Sequence, residues 1–211
     1  MDNYYSRSEV SNSDLSALKK QMYGGIDFDP TEAYKFGSLI DAMITEPELV
    51  DEYKLTCSGE QYSKEDFEKA REMRRVFMKD EMCRSLIASS VFQKVMIREK
   101  MQFHYGIPFT LPVRCKWDIW MPGFNWGADI KSTTATTQKQ FEDACHHFDY
   151  DRQRWWYMNI AGSNQDMLVG ISKVNFKVFK LPIRRDSEFF KSGEEKALLL
   201  AYKYWQFYGQ L

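Results

Sequence analysis

The sequence predicts an α/β fold that begins with a mainly helical segment over residues 1–90 and continues with a sheet and flanking helices over residues 91–211. Apolar residues recur at helical spacing in the first segment, whereas from about residue 95 they alternate with polar residues, as in a strand. A single domain is expected, because 211 residues with 44% hydrophobic and 16% aromatic residues suffice to bury one core.

Three helices are predicted in the first segment. Ser11 or Ser13 caps the first helix, and the second follows Pro30. The residues from Ser63 to Asp66 have the form of a capping box, which starts the third helix. The apolar stripes of the three helices are Leu15, Leu18 and Met22; Phe36, Leu39, Ile40, Met43 and Ile44; and Phe67, Ala70 and Phe77.

Strands are predicted where apolar residues occupy every second position, first from Val95 to Phe103 and then from Phe109 to Trp117. Met121 to Asn125 supplies a turn and the alternation resumes from Trp126 to Ile130, so the strands around this turn form a hairpin. The elements predicted after the hairpin are a helix over Gln138 to Tyr157 that breaks at Asp149, strands over Met167 to Ser172 and Val174 to Phe179, and a C-terminal helix that includes Leu198 to Trp205.

Composition narrows the class of protein. A formal net charge of −1 excludes the global basic field of proteins that hold nucleic acid mainly by neutralising phosphates, but it allows a local acidic pocket for metal ions. The sequence has no run of about 18 apolar residues and starts with a polar stretch, so we expect a soluble, cytoplasmic protein without a membrane partner. Its four cysteines form no C-x-x-C pair, which favours buried free thiols.

The hairpin is predicted to collect a polar cluster on one face of the sheet. Side chains two apart on a strand share a face, so Asp129 and Lys131 lie together, opposite the face of Ile130. If the odd positions from Phe109 to Trp117 point into the core, Asp118 points the other way. Carboxylates on a shared face repel each other unless a cation lies between them, and hard oxygen ligands suit Mg²⁺ or Mn²⁺.

Such a cluster has a clear chemical use. A bound divalent ion would lower the pKa of a coordinated water and polarise a phosphodiester, while Lys131 would orient the attacking water and meet developing negative charge. An aspartate two residues before a lysine is more often a solvated surface ion pair. Here, however, the pair lies in a hydrophobic strand that follows another strand ending in Asp118.

These residues also carry a resemblance to a known family, the RecE-type exonuclease VIII domains, which are PD-(D/E)XK enzymes. The matching runs are Lys116-Trp117-Asp118, Asp129-Ile130-Lys131-Ser132-Thr133, Phe141, and Tyr150-Asp151-Arg152-Gln153, with earlier similarity in Ser11 to Leu15, Phe36 to Ala42 and Glu46-Pro47. The likeness covers roughly residues 8 to 160. It implies a restriction-endonuclease-like core, in which helices flank a mixed central sheet.

The resemblance implies a set of metal ligands for Mg²⁺, which Mn²⁺ can replace. Asp118 and Asp129 would bind the metal through their carboxylates, and Ile130 through its carbonyl. Asp41 would be a further ligand, at a position where many relatives carry a histidine. The sequence departs from the family pattern there and at Trp117, where a proline often precedes the first aspartate.

The resemblance also implies the residues that act on the substrate. Lys131 would be the catalytic lysine, and Gln153 the helix residue that positions this lysine or the substrate. Further substrate contacts are expected from Tyr150, Arg152, Ser132 and Thr133. Arg154 could contact phosphate as well, although a solvated helix face is the default for such a charge.

The function implied by the resemblance is exonucleolytic degradation of linear double-stranded DNA, 5′ to 3′, in phage-type recombination. Relatives of this kind form homo-oligomeric rings and cooperate with a single-strand annealing protein. Two alternatives stay open. The same metal centre could serve an endonuclease or a Cas4-like end processor, or the chain could be a catalytically silent DNA- or protein-binding module.

Overall fold

A computed structural model describes residues 4–24 and 31–209 and confirms the predicted α/β fold. Its helices are α1 (Asn12–Tyr23), α2 (Thr31–Thr45), α3 (Lys64–Lys79), α4 (Glu81–Ala88), α5 (Gln138–His147), α6 (Tyr150–Ala161) and α7 (Glu188–Tyr208). Its strands are β1 (Val50–Asp51), β2 (Thr56–Cys57), β3 (Glu60–Gln61), β4 (Val91–Tyr105), β5 (Ile107–Met121), β6 (Trp126–Thr133), β7 (Gln165–Ser172) and β8 (Val178–Arg184). Short 3₁₀ helices cover Tyr4–Ser6 and Pro47–Leu49.

The main sheet has the strand order β4-β5-β6-β7-β8. Its neighbours are antiparallel except β6 and β7, which run parallel because the chain crosses between them through α5 and α6. The sheet is therefore mixed, as the family resemblance implies. The strands β1, β2 and β3 form a separate antiparallel ribbon, which periodicity did not predict because a two-residue strand shows no alternation.

Helices cover both faces of the main sheet. On one face α6 and α7 pack against β4 and β5, and on the other α2, α3 and α4 pack against β5, β6 and β7. Trp117 belongs to the core on the α6 side, whereas Ile119 belongs to the core on the α2 side. The predicted alternation of β5 therefore holds from Phe109 to Trp117 and breaks at Asp118.

Local sequence signals begin and end several elements as predicted. Ser11 and Ser63 each cap a helix through a capping box with the aspartate three residues later. The predicted break at Asp149 separates α5 from α6, and its backbone is left-handed, with φ of 54°. The start of the second helix after Pro30 depends on a residue outside the described ranges.

The last predicted strand, Val174 to Phe179, is wrong at both ends, because β8 runs from Val178 to Arg184. The hydroxyl of Ser172 accepts hydrogen bonds from the backbone N–H groups of Val174 and Asn175, at 3.1 and 3.2 Å. Such a turn competes with strand pairing, so the apolar alternation across this region does not form a strand.

All four cysteines are buried and free, which confirms the prediction from their spacing. Burial raises the pKa of the Cys115 and Cys145 thiols to about 12, so both are held as neutral thiols. Within residues 4–24 and 31–209, no helix combines the length and apolar character needed to cross a membrane.

Candidate active site

The strand β6 brings Asp129 and Lys131 together, as the alternation predicts. Asp129 is only 2% exposed, and its Oδ2 lies 2.5 Å from the Nζ of Lys131. The intervening Ile130 packs into the core on the opposite, α2 side. The aspartate and the lysine therefore form a buried ion pair rather than a solvated surface pair.

A second cation reaches Asp129 from α6. Nη2 of Arg154 lies 3.1 Å from Asp129 Oδ1, and its Nη1 lies 3.4 Å from Asp166 Oδ2. The guanidinium is completely buried and lies 4.1 Å from the centre of the Tyr157 ring. No guanidinium nitrogen makes a well-directed hydrogen bond in the described chain, so Arg154 acts mainly as a buried charge. The expectation of a solvated position is wrong.

Asp118 joins this cluster from the neighbouring strand. The regular backbone pairing of β5 with β6 extends from the turn as far as Ile119 with Ala128 and stops next to Asp118. There the Oδ2 of Asp118 accepts a hydrogen bond of 2.8 Å from the backbone N–H of Ile130. The side chain thus replaces a backbone acceptor at the point where the two strands separate, which holds its carboxylate beside β6.

Asp41 approaches from α2, on the other side of the sheet. Its Oδ2 accepts a hydrogen bond of 3.0 Å from Nε2 of Gln93 in β4, and its Oδ1 lies 3.3 Å from the hydroxyl of Thr45. Its negative charge, after burial and the charge of Asp129, contributes to the raised pKa of Asp118.

The carboxylates differ in their electrostatic surroundings. Burial, with the charges of Asp129 and Asp41, raises the pKa of Asp118 well above its usual range. Burial also raises the pKa of Asp41 to about 6, although the Gln93 hydrogen bond opposes this shift. Burial acts in the same direction on Asp129, but Arg154 and Lys131 outweigh it and hold the pKa of Asp129 below its usual range. Asp129 is therefore held ionised.

The site offers oxygen donors suited to a hard cation, although its described residues contain no ready group of three His, Cys, Asp or Glu side chains for a metal ion. A carboxylate offers about four lone-pair positions. Asp118 therefore keeps free positions beside its hydrogen bond from the Ile130 amide, and Asp129 keeps free positions beside its contacts with the two cations. The residues that could hold Mg²⁺ or Mn²⁺ are Asp118, Asp129 and the carbonyl of Ile130, with Asp41 as a further ligand.

Tyr150, one of the expected α6 residues, lies beside this cluster. The Nζ of Lys131 is 4.7 Å from the centre of the Tyr150 ring, a cation–π distance. Gln153 follows one turn later and precedes Arg154. Its side-chain Oε1 is buried and has no hydrogen-bond partner in the described chain. Tyr150 is therefore in direct contact with the predicted catalytic lysine.

The other expected substrate residues divide into two groups. Ser132 and Thr133 continue β6 beyond Lys131 and stay partly exposed, and the Thr133 hydroxyl shapes the following turn by accepting the N–H of Ala135 at 3.1 Å. Arg152 is only 2% exposed and donates to Asn12 and Ser16 of α1, at 2.9 and 2.5 Å. This arrangement does not support the predicted substrate contact of Arg152, because its guanidinium links α6 to α1.

Sequence reasoning missed three residues that shape the site: Gln93, Arg154 and Asp166. The spacing of Arg154 from Tyr150 and Tyr157, four and three residues, places all three on one helix face and could have indicated its direction. Nothing local marks Gln93 or Asp166, because each meets its partner only through the pairing of distant strands and helices.

Comparisons with known proteins place this geometry in a family. The chain matches the sequence model of a family described as "PDDEXK-like domain of unknown function (DUF3799)" over residues 9–174. Two solved structures show a likeness at low identity. A phage-related exonuclease from Haemophilus somnus 129PT has a TM-score of 0.43 and 12% identity, over 95% of this chain and 84% of that one. The protein SSO0001 has a TM-score of 0.41 and 11% identity, over 92% and 84%.

No curated protein is similar enough in sequence to count as a match. The family model covers well over half of the 211 residues, and it includes the region of Asp118, Asp129 and Lys131. The predicted PD-(D/E)XK character is confirmed at this level, and the chain belongs to the family of PDDEXK-like domains described as DUF3799.

Proposed function

We propose that this protein is a metal-dependent deoxyribonuclease that hydrolyses phosphodiester bonds, with Mg²⁺ held by Asp118 and Asp129. The observation that carries the proposal is the junction of β5 and β6. There the side chain of Asp118 binds the backbone of Ile130, while the flanking residues are Asp129 and Lys131, already in contact. Two carboxylates from separate strands and one ammonium therefore share a small volume, as metal-assisted phosphodiester hydrolysis requires.

The metal, when bound, would supply a water of lowered pKa and neutralise charge on the phosphate. The chain's own residues would orient the reacting groups. Although burial opposes it, Asp129 raises the pKa of Lys131 above its usual range, so this ammonium stays protonated and can donate to the phosphate or to the attacking water. Arg154 contacts the Oδ1 of Asp129, the oxygen that Lys131 does not contact, and the ring of Tyr150 packs against the ammonium of Lys131.

The finer function rests on the resemblance to RecE-type exonucleases. On this basis we propose that the protein digests linear double-stranded DNA from 5′ to 3′ in phage-type recombination, in the cytoplasm. A homo-oligomeric ring and a single-strand annealing partner belong to the same proposal. An endonuclease or a Cas4-like end processor with the same metal centre is the enzymatic alternative.

The test uses duplex DNA labelled at the 5′ or the 3′ end, together with a covalently closed circle, with Mg²⁺ or with a chelator. We expect Mg²⁺-dependent loss of the linear duplex from its 5′ end and no attack on the circle. Cleavage of the circle would support the endonuclease alternative. Asp129→Asn is the variant that tests the site, because it removes a proposed metal ligand. Undiminished digestion by this variant would overturn the proposed site.

A second candidate function is a catalytically silent binding module. It is favoured by the contact of both Asp129 oxygens with cations and by the lack of a ready three-residue metal group among the described residues. Titration calorimetry with Mg²⁺ separates the two candidates. A nuclease should bind Mg²⁺ in a way that Asp118→Asn weakens, whereas a silent module should show no binding that depends on Asp118.

A further inference from the structure

Gln93 has an unusual backbone conformation for its place in the fold. Its φ is 51°, in the left-handed region that a residue with a long side chain rarely adopts. The other described non-glycine residues with positive φ lie in turns or loops, whereas Gln93 lies inside the strand β4. A backbone outlier within regular structure is costly and persists where the surrounding contacts hold it.

The outlier coincides with a gap in the pairing of β4 with β5. Phe92 pairs with Ile119 and Lys94 pairs with Trp117, so the register places Gln93 opposite Asp118, at a step that the ladder skips. The irregularity of β4 and the break in the alternation of β5 therefore occur at the same level of the sheet. One of the two residues at that level is a predicted metal ligand.

The side chain of Gln93, at this left-handed position of β4, reaches α2. Its Nε2 donates to Asp41 Oδ2 at 3.0 Å and to the hydroxyl of Thr45 at 2.9 Å. Thr45 is itself buried, and its hydroxyl also contacts the Asp41 carbonyl at 2.9 Å, which anchors this group one turn along α2. The Gln93 amide on β4 thus holds the carboxylate of Asp41 on α2 by a hydrogen bond.

The amide oxygen of Gln93 has no hydrogen-bond partner among the described residues. This oxygen, Oε1, is also buried. A residue chosen only for stability would avoid both a strained backbone and a buried acceptor without a donor. Both features are explained if Gln93 serves to donate the hydrogen bond that orients the carboxylate of Asp41.

We propose that Gln93 is a positioning residue, which holds the carboxylate of Asp41 toward Asp118 and Asp129 for binding a divalent cation. The inference rests on the proposed function, because it takes Asp41 as a ligand. Gln93 itself touches neither the metal nor the substrate. Loss of a hydrogen bond to a ligating group typically weakens metal affinity about 10- to 100-fold.

The experiment measures Mn²⁺ affinity by titration calorimetry and thermal unfolding without metal. Gln93→Asn keeps an amide and suits a left-handed backbone, but its shorter side chain does not reach Asp41. Gln93→Gly removes the strain together with the amide. We expect both variants to lose about 10-fold or more in Mn²⁺ affinity while their unfolding temperature stays equal or rises.

Ser58→Gly is the matched control, since Ser58 has the same φ of 51° in an exposed turn and its change should leave Mn²⁺ affinity unaltered. Asp41→Asn supplies the second test. In that background Gln93→Asn should cause no further loss, because the group that it positions is gone.

Unaltered Mn²⁺ affinity of both Gln93 variants would overturn the positioning role alone. An equal loss with and without Asp41→Asn would also overturn it, because the effect would then be general and structural. Absence of Mn²⁺ binding by the unmodified chain would instead reject the proposed metal site, and the role of Gln93 with it.

Discussion

The two sides of the candidate site neutralise their carboxylates in different ways. On the β6 side, Asp129 lies between Lys131 and Arg154. On the α2–β5 side, Asp41 and Asp118 form no ion pair within the described chain and rely on hydrogen bonds from Gln93 and the Ile130 amide. The first side is therefore balanced by the protein itself, and the second is not.

This difference indicates where a metal ion would act. A buried carboxylate without a counter-charge costs free energy or takes up a proton, and the raised pKa values of Asp41 and Asp118 express that cost. A divalent cation would relieve it, whereas Asp129 needs no such relief to stay ionised. In the proposed site the metal would therefore mainly compensate charge on the α2–β5 side.

Arg154→Met should have the largest effect on stability. It removes the buried cation while keeping much of the side-chain volume, so Asp129 and Asp166 lose a shared partner in a site closed to water. Breaking a buried charge pair on one side costs about 3–5 kcal/mol of unfolding free energy. Urea unfolding at constant pH measures the change.

The control for this prediction is the double variant Arg154→Met, Asp166→Asn. Removing both charges of that pair should recover part of the lost stability, because the uncompensated carboxylate disappears with the guanidinium. A single Arg154 variant as stable as the unmodified chain would show that the α6 cation does not balance this side of the site.

Lys131→Met should reduce turnover on linear duplex by about 10² or more, the scale of a lost electrostatic or acid–base group. Arg154 continues to balance Asp129, so Mn²⁺ binding and folding should be retained. Lys139→Met is the control, because that lysine is exposed on α5 and pairs with Asp143 away from the site. Equal turnover of the two variants would contradict the catalytic role of Lys131.

Asp166 differs from Asp129 on the β6 side, because its pKa is raised although it also lies beside Arg154. Burial raises its pKa from 3.8 to about 7, against the lowering effect of Arg154 and with a further contribution from Asp129. The folded state therefore binds this proton more tightly than the unfolded state. The resulting stabilisation is complete below about pH 4 and is lost as the pH rises to about 7.

Between pH 5 and pH 7 the unmodified chain should lose about 2 kcal/mol that the Asp166→Asn variant does not lose. Urea unfolding of both proteins at the two pH values gives this difference. Parallel pH dependences would mean that Asp166 stays ionised beside Arg154 throughout this range.

The sequence predicted the local parts of this site and not the long-range ones. The period of β6 was enough to pair Asp129 with Lys131, because side-chain direction in a strand follows from the backbone alone. The same rule does not extend beyond Asp118, where the alternation of β5 breaks, and the hydrogen bond that Asp118 accepts from the Ile130 amide depends on the pairing of two strands.

Charged residues on helices were the weakest part of the prediction. Arg152 and Arg154 are two residues apart on α6, and both were expected to be solvated or to contact phosphate. Both are buried, but in different directions, one toward α1 and the other toward β6. Helical geometry gives the angle between two such side chains, whereas only the packing of distant elements decides which of them meets a carboxylate.

The two arginines give the smallest and most discriminating test. Arg152→Met removes two hydrogen bonds to neutral groups on α1 and an ion pair of 3.7 Å with Asp149, which should cost about 2 kcal/mol of unfolding free energy. Mn²⁺ affinity and turnover should stay unchanged, because Arg152 lies away from Asp129. Calorimetry and urea unfolding beside Arg154→Met make the comparison within one helix. If Arg152→Met weakened Mn²⁺ binding, the site would extend to the α1 side of α6, and Arg152 would regain the substrate role that its contacts in this structure do not support.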